Sequence, residues 1–167
     1  MTHVEHAPQA DLPPLPPMTE LVLHMERVFD APRELVWRAW TNPEVVVLWL
    51  GPVEWPAVKV EQDLRVGGAW RACLKSADGD EVLWQGGTYR EIVPPRRLVF
   101  TFKWDDSHED GPPADTLVIV EFDDMDDGQT RMRFTHLGLK SERSLTGHAY
   151  GWNSTADRLE AFLETMD

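Results

Sequence analysis

Two side chains in this sequence combine proton-transfer chemistry with a patterned setting: His136 and Glu91. His136 closes the run Thr130-Arg-Met-Arg-Phe-Thr-His136, where alternation puts Met132, Phe134 and His136 on one face of a strand and Arg131, Arg133 and Thr135 on the other. A histidine on an apolar face can hydrogen-bond a ligand or act as acid or base near neutral pH. That chemistry needs a positioned partner, and none is visible along the chain. A buried histidine satisfied by a backbone carbonyl or a carboxylate is therefore the preferred reading. Glu91 lies in a long strand, opposite in parity to Trp84 and Ile92. Inside a cavity its pKa would rise by desolvation, making it a candidate acid or base. On the outer face it would pair with a cross-strand arginine, with Arg131 and Arg133 available. The outer face is the expected position.

The third chemical feature is aromatic: 8 Trp against 2 Tyr and 6 Phe. Tryptophan brings a large apolar area and one N–H that wants a partner when buried. Strand alternation and helical spacing turn Trp70, Phe100, Phe102, Trp104, Phe134 and Trp152 inward, and Trp40 and Trp49 fall on two short helices. This set predicts an apolar pocket for a hydrophobic or aromatic small molecule. On ordinary burial tendencies, about half of these side chains are plain core instead. Trp152 and Ala156 are the favoured lining positions, since a small residue at 156 leaves space. Trp37, Trp55 and Trp84 stay unassigned.

Other chemistries find no motif. The six histidines show no HExxH or paired spacing, and the single Cys73 cannot build a zinc site. The acidic runs Asp105–Asp110 and Asp123–Asp127 lack calcium-loop spacing and read as solvated hairpin loops. No G-x-S-x-G, Walker loop or G-x-G-x-x-G occurs. Neither a metal nor a cofactor is expected.

The elements that must position these residues follow from periodicity. Residues 1–18 hold Pro8, Pro13, Pro14, Pro16 and Pro17 without an apolar period, and read as a disordered leader. Residues 19–167 read as one domain. Leu21 to Phe29 is a strand of open parity. Asp30-Ala-Pro-Arg-Glu starts a helix with Pro32 at its first position and Leu35 to Trp40 as its stripe. Asn42-Pro43 starts a second helix, closed by Gly51-Pro52. Strands and turns fill Pro56 to His136, with a hairpin at Ala77-Asp-Gly-Asp80 and a bulge or bend expected at Gly86-Gly87. From Trp152, the residues Ala156, Leu159, Leu163 and Met166 keep a helical period. Helices segregated from a run of antiparallel strands make an α+β domain. The simplest packing curls the sheet around the long C-terminal helix and leaves room between them for a ligand.

Composition sets the bounds. At 167 residues the chain has length for one domain with a substantial core. It carries 29 acids against 16 bases, a formal net charge of −13. That balance argues against nucleic acid and against anionic membrane surfaces. No run approaches the roughly 18 apolar residues of a spanning helix. No secretory leader is expected, and the cytoplasm is the expected compartment.

Several segments together resemble a known family. These are Phe29-Asp-Ala-Pro-Arg-Glu-Leu-Val-Trp-Arg-Ala-Trp-Thr-Asn-Pro-Glu44, Trp49-Leu-Gly-Pro52, Val66-Gly-Gly68, Gly87 to Phe102, Thr135-His-Leu-Gly138 and Gly151-Trp152. They resemble the START-like (SRPBCC) superfamily, in its branch related to the C-terminal domain of the Hsp90 ATPase activator. The resemblance spans residues 20–166 and implies a helix-grip fold: a curved antiparallel sheet wrapped around a long C-terminal helix, with two short helices after the first strand. It also implies a deep cavity, with Trp40 and Trp49 near one end.

The leading functional expectation is a domain that binds a small hydrophobic or aromatic molecule, as a monomer or homodimer, without intrinsic chemistry. It rests on the inward aromatic pattern and the lack of a catalytic constellation. A second is a protein-interaction module or co-chaperone of the Hsp90 type, with a chaperone as partner and a stress-response role. A third is a cavity enzyme, cyclase- or hydrolase-like, using His136 with Glu91.

Overall fold

In the computed structural model, which describes residues 12–15, 18–105 and 114–166, the chain begins its folded part with a strand, β1 (Val22–Phe29). Two short helices follow, α1 (Arg33–Thr41) and α2 (Pro43–Trp49). Six strands come next: β2 (Ala57–Gln62), β3 (Ala69–Lys75), β4 (Val82–Val93), β5 (Arg97–Trp104), β6 (Thr116–Asp124) and β7 (Thr130–Leu137). The long helix α3 (Glu142–Glu164) ends the fold. All neighbouring strands pair antiparallel in the order β1-β7-β6-β5-β4-β3-β2. β1 and β2 are thus opposite edges, and α1 with α2 carries the chain from one to the other. This open curved sheet with its long C-terminal helix is the expected α+β, helix-grip-like architecture. None of the described helices is long and apolar enough to cross a membrane.

Alternation decides which side chains reach the helices. On β1 the odd-numbered set is inward: Leu23, Met25 and Phe29 are buried, while Val28 is half exposed. On β7, Met132, Phe134 and His136 are buried as the pattern requires. Between β4 and β5 the register shifts between Tyr89 and Glu91, and no β5 residue is paired with Gly87 or with Thr88, whose N–H goes to the Thr101 hydroxyl instead. The bulge is therefore at Arg90, while at Gly87 and Thr88, beside the expected irregularity, the β4–β5 pairing is interrupted without a register shift. Gly87 serves a different need: a Cβ there would stand 1.9 Å from the carbonyl oxygen of Thr101. Trp70, paired with Gly87, uses that open position to donate its indole N–H to Thr101 O at 2.9 Å.

The helix ends differ from expectation in detail. Pro32 is the N-cap of α1 rather than its first residue, and no side chain caps that end. Asn42 caps α2 by accepting from the Glu44 N–H, with Pro43 first in the helix. α3 begins at Glu142, well before Trp152, with Ser141 accepting from the Ser144 N–H. Two arginine contacts fix its second half. Arg27 on β1 pairs with Asp157 at 2.8 Å. Arg158 donates to Leu50 O and Gly51 O, both at 2.8 Å, satisfying carbonyls at the end of α2.

Much of the expected leader, residues 1–11, 16 and 17, lies outside the described residues, as do 106–113 of the acidic loop. Within the remainder, Leu12 packs on the core and Pro13 O accepts from Arg90.

Candidate functional site

A cavity of about 570 Å³ opens between α3 and the β3–β5 part of the sheet. Three groups of residues wall it. The segment after α2 supplies Leu50, Gly51, Pro52 and Trp55; the strands supply Leu74, Leu83, Gln85, Phe102 and Trp104; α3 supplies Ser144, Gly147, His148, Gly151, Trp152 and Thr155. Glu54, Lys103, Lys140 and Arg143 add exposed charged residues, and Ala114, Thr116, Leu139 and Tyr150 also line it. The shape follows from α3: Gly147 and Gly151 face open space, with no atom within 4 Å of a Cβ placed on either.

Of the ten residues expected to line a pocket, Phe102, Trp104 and Trp152 do so. Trp40, Trp49, Trp70, Phe100, Phe134, His136 and Ala156 lie behind them, buried in the core. The aromatic rings form one connected cluster. Trp49 is completely buried, donates to Ala39 O at 2.9 Å and meets Trp40 at 4.8 Å. Trp40 reaches Phe100 and Trp152, and Trp152 packs on Phe134 at 4.5 Å. Phe102 and Trp152, 5.8 Å apart, belong both to this cluster and to the cavity wall. The unassigned tryptophans separate: Trp37 packs edge-on to Phe122, Trp55 lines the cavity, and Trp84 lies on the outer sheet face under the guanidinium of Arg71.

His136 is fully buried, and both ring nitrogens are engaged. Indole N–H can only donate, so the 3.1 Å contact from Trp152 makes Nδ1 of His136 the acceptor. Nε2 then carries the proton and donates to Thr116 Oγ1 at 2.7 Å, and that hydroxyl donates to Phe102 O. Burial, and secondarily the charge of nearby His148, holds the imidazole well below its ordinary range. His136 is thus a neutral, saturated core group away from the cavity. His148, absent from the sequence-based candidates, does line the cavity. Its Nε2 accepts from Trp104 Nε1 at 3.1 Å, so Nδ1 donates to Ser144 O at 2.8 Å. Burial lowers its pKa, while the Ser144 carbonyl works against that shift.

Glu91 lies on the outer face, as expected, but its partner is Arg97 at 3.1 Å rather than Arg131 or Arg133. Arg97 also holds Glu121, and Arg133 bridges Glu121 and Asp123. The bulge at Arg90 explains the parity. It leaves Ile92 buried but puts the equally even-numbered Trp84 on the outside.

Gln85 was also missed, because its inward face and its register with Trp104 depend on how β4 pairs and cannot be counted along the strand alone. It is 4% exposed, lines the cavity, and its amide makes no hydrogen bond to any described residue. Among the other missed lining residues, Ser144, Gly147, Tyr150 and Gly151 on α3 have no apolar period to reveal them. Tyr150 donates its hydroxyl to Glu54 and ties α3 to the segment after α2. No group of three or more His, Cys, Asp or Glu able to hold a metal occurs among the described residues.

Solved structures share this architecture over nearly their whole length. A Chromobacterium violaceum protein is 26% identical, covering 84% of this chain and 95% of its own, with a TM-score of 0.73. A Nitrosomonas europaea protein is 25% identical over 88% and 96%, with a TM-score of 0.74. The AHSA1 protein of Silicibacter pomeroyi, at 21% identity over 87% and 99%, gives a TM-score of 0.74 and supports the fold alone. No curated protein matches the chain. The model of the family described as Activator of Hsp90 ATPase homolog 1-like protein matches residues 30–164, so the chain belongs to that family.

Proposed function

We propose that this protein binds a small hydrophobic or aromatic molecule in the cavity between α3 and the sheet. One observation carries the reading: about 570 Å³ of space lies against Trp55, Phe102, Trp104 and Trp152. Ligand pockets commonly occupy about 300–1,000 Å³ with mostly apolar walls. Cys73 is buried and unpaired, in keeping with a reducing compartment such as the cytoplasm. Three lining tryptophans make intrinsic fluorescence the natural readout. Titration with naphthalene is expected to quench that fluorescence saturably and to raise the melting temperature. Gly147→Leu, which projects a side chain into the cavity, is expected to abolish quenching while the protein stays folded. An unquenched, unshifted wild type would end this reading.

The family description supports a second reading, a co-chaperone for an Hsp90-type ATPase. A rise in the ATPase rate of the host Hsp90 homologue on adding the purified protein would establish it. An unchanged rate would remove it.

A further inference from the structure

Among the polar groups lining the cavity, several are committed within the protein. Thr116, His148, Tyr150 and Thr155 each have a hydrogen-bond partner in the fold. The Gln85 amide has none among the described residues, although the residue is 4% exposed and lies against the cavity. The amide is open to the cavity rather than sealed in the core, so a ligand there can reach it. Its position is set by β4 itself: it stands in register with Ala72 on one side and with Trp104, a fellow lining residue, on the other.

We infer that the cavity ligand is a planar, uncharged molecule carrying an adjacent hydrogen-bond donor and acceptor, as in a cyclic amide, with that edge against Gln85. This rests on the ligand-binding reading above. A glutamine amide offers one acceptor oxygen and an NH₂ donor side by side, so a lactam edge satisfies both with two parallel bonds. A neutral group fits better than an ion. The charged lining residues Glu54, Lys103, Lys140 and Arg143 are all exposed, whereas Gln85 is buried. A charge brought to Gln85 would lose its hydration without gaining an ion partner there. Planarity suits the aromatic rings of Phe102, Trp104 and Trp152 that line the same cavity.

The test compares three probes of similar size: 2-quinolone, N-methyl-2-quinolone, which lacks the donor, and naphthalene, which lacks both groups. Wild-type protein is expected to bind 2-quinolone at least tenfold more tightly than its N-methyl form. In Gln85→Met that ratio is expected to fall to about one. In wild-type protein, the side-chain NH₂ resonances of Gln85 are expected to shift on adding 2-quinolone but to move far less with naphthalene. This readout needs no variant to fold. Naphthalene binding with no preference for the lactam, a preference that survives in Gln85→Met, or immobile Gln85 resonances would each overturn the inference and leave the cavity reading intact. If none of the three probes binds, the cavity reading falls and the inference falls with it.

Discussion

The two halves of α3 share one backbone geometry and differ in what lies behind them. From Trp152 onward the helix backs onto the core: Trp152, Thr155, Ala156, Leu159 and Leu163 are buried. Arg27 and Arg158 hold that half to β1 and to the end of α2. From Glu142 to Gly151 no residue is fully buried, and Ser144, Gly147, His148 and Gly151 face the cavity. An apolar stripe is required only where a helix must exclude water against packed side chains. A helix that walls a space needs small or selectively polar residues there instead. The lost period in the first half is thus the mark of the cavity.

This contrast can be broken by experiment. The largest effect belongs to the packed half: Leu159→Ala, at a position 1% exposed, is expected to destabilise by about 2–5 kcal/mol in denaturant unfolding. A loss below ~1 kcal/mol would mean that this half is not packed as described.

An intermediate effect lies at the boundary, where His136 accepts from Trp152. The folded state keeps His136 neutral, with its pKa below the ordinary 6.5, whereas the unfolded chain takes up a proton near that value. The unfolded state therefore binds more protons, and stability falls as pH drops below about 6.5. The slope from such a group approaches ~1.4 kcal/mol per pH unit until the folded state also titrates. Protonating Nδ1 would also evict the Trp152 N–H. His136→Gln is expected to flatten the stability profile between pH 7 and 5. His148→Gln is expected to flatten it less, because the Ser144 carbonyl favours the charged form of His148. A His136→Gln profile parallel to wild type would refute this account.

The smallest effect has the opposite sign. Gly147 sits inside a helix with open space around its Cβ direction, so Gly147→Ala is expected to stabilise by about 0.5–1 kcal/mol. Destabilisation would show that the cavity half is more crowded than the geometry indicates.

Legibility followed the same division. Strict alternation over Leu98, Phe100, Phe102 and Trp104, and over Met132, Phe134 and His136, assigned inward faces that the structure bears out, although only β7 is half-buried; on β5 the opposite-face Val99 and Thr101 are buried as well. Asn42-Pro43 announced α2 for an equally local reason. What failed needed neighbours. The Arg90 bulge reverses parity within β4, so no count along that strand alone places Trp84 and Ile92 correctly. The site was legible in part: Phe102, Trp104 and Trp152 could be nominated from pattern, but nothing local separates an inward aromatic that touches space from one that touches another ring.

The sequence alone determined the element order, the α+β class, the inward faces of most strands and the aromatic character of the interior. These depend on backbone preferences and on the period with which side chains meet water. Only the tertiary structure decided that His136 is sealed while His148 reaches the cavity, that Glu91 answers to Arg97, and that Gln85 opens to the cavity without a partner among the described residues. Each depends on where separate elements come to rest against one another, and cavities and hydrogen-bond partners exist only between elements.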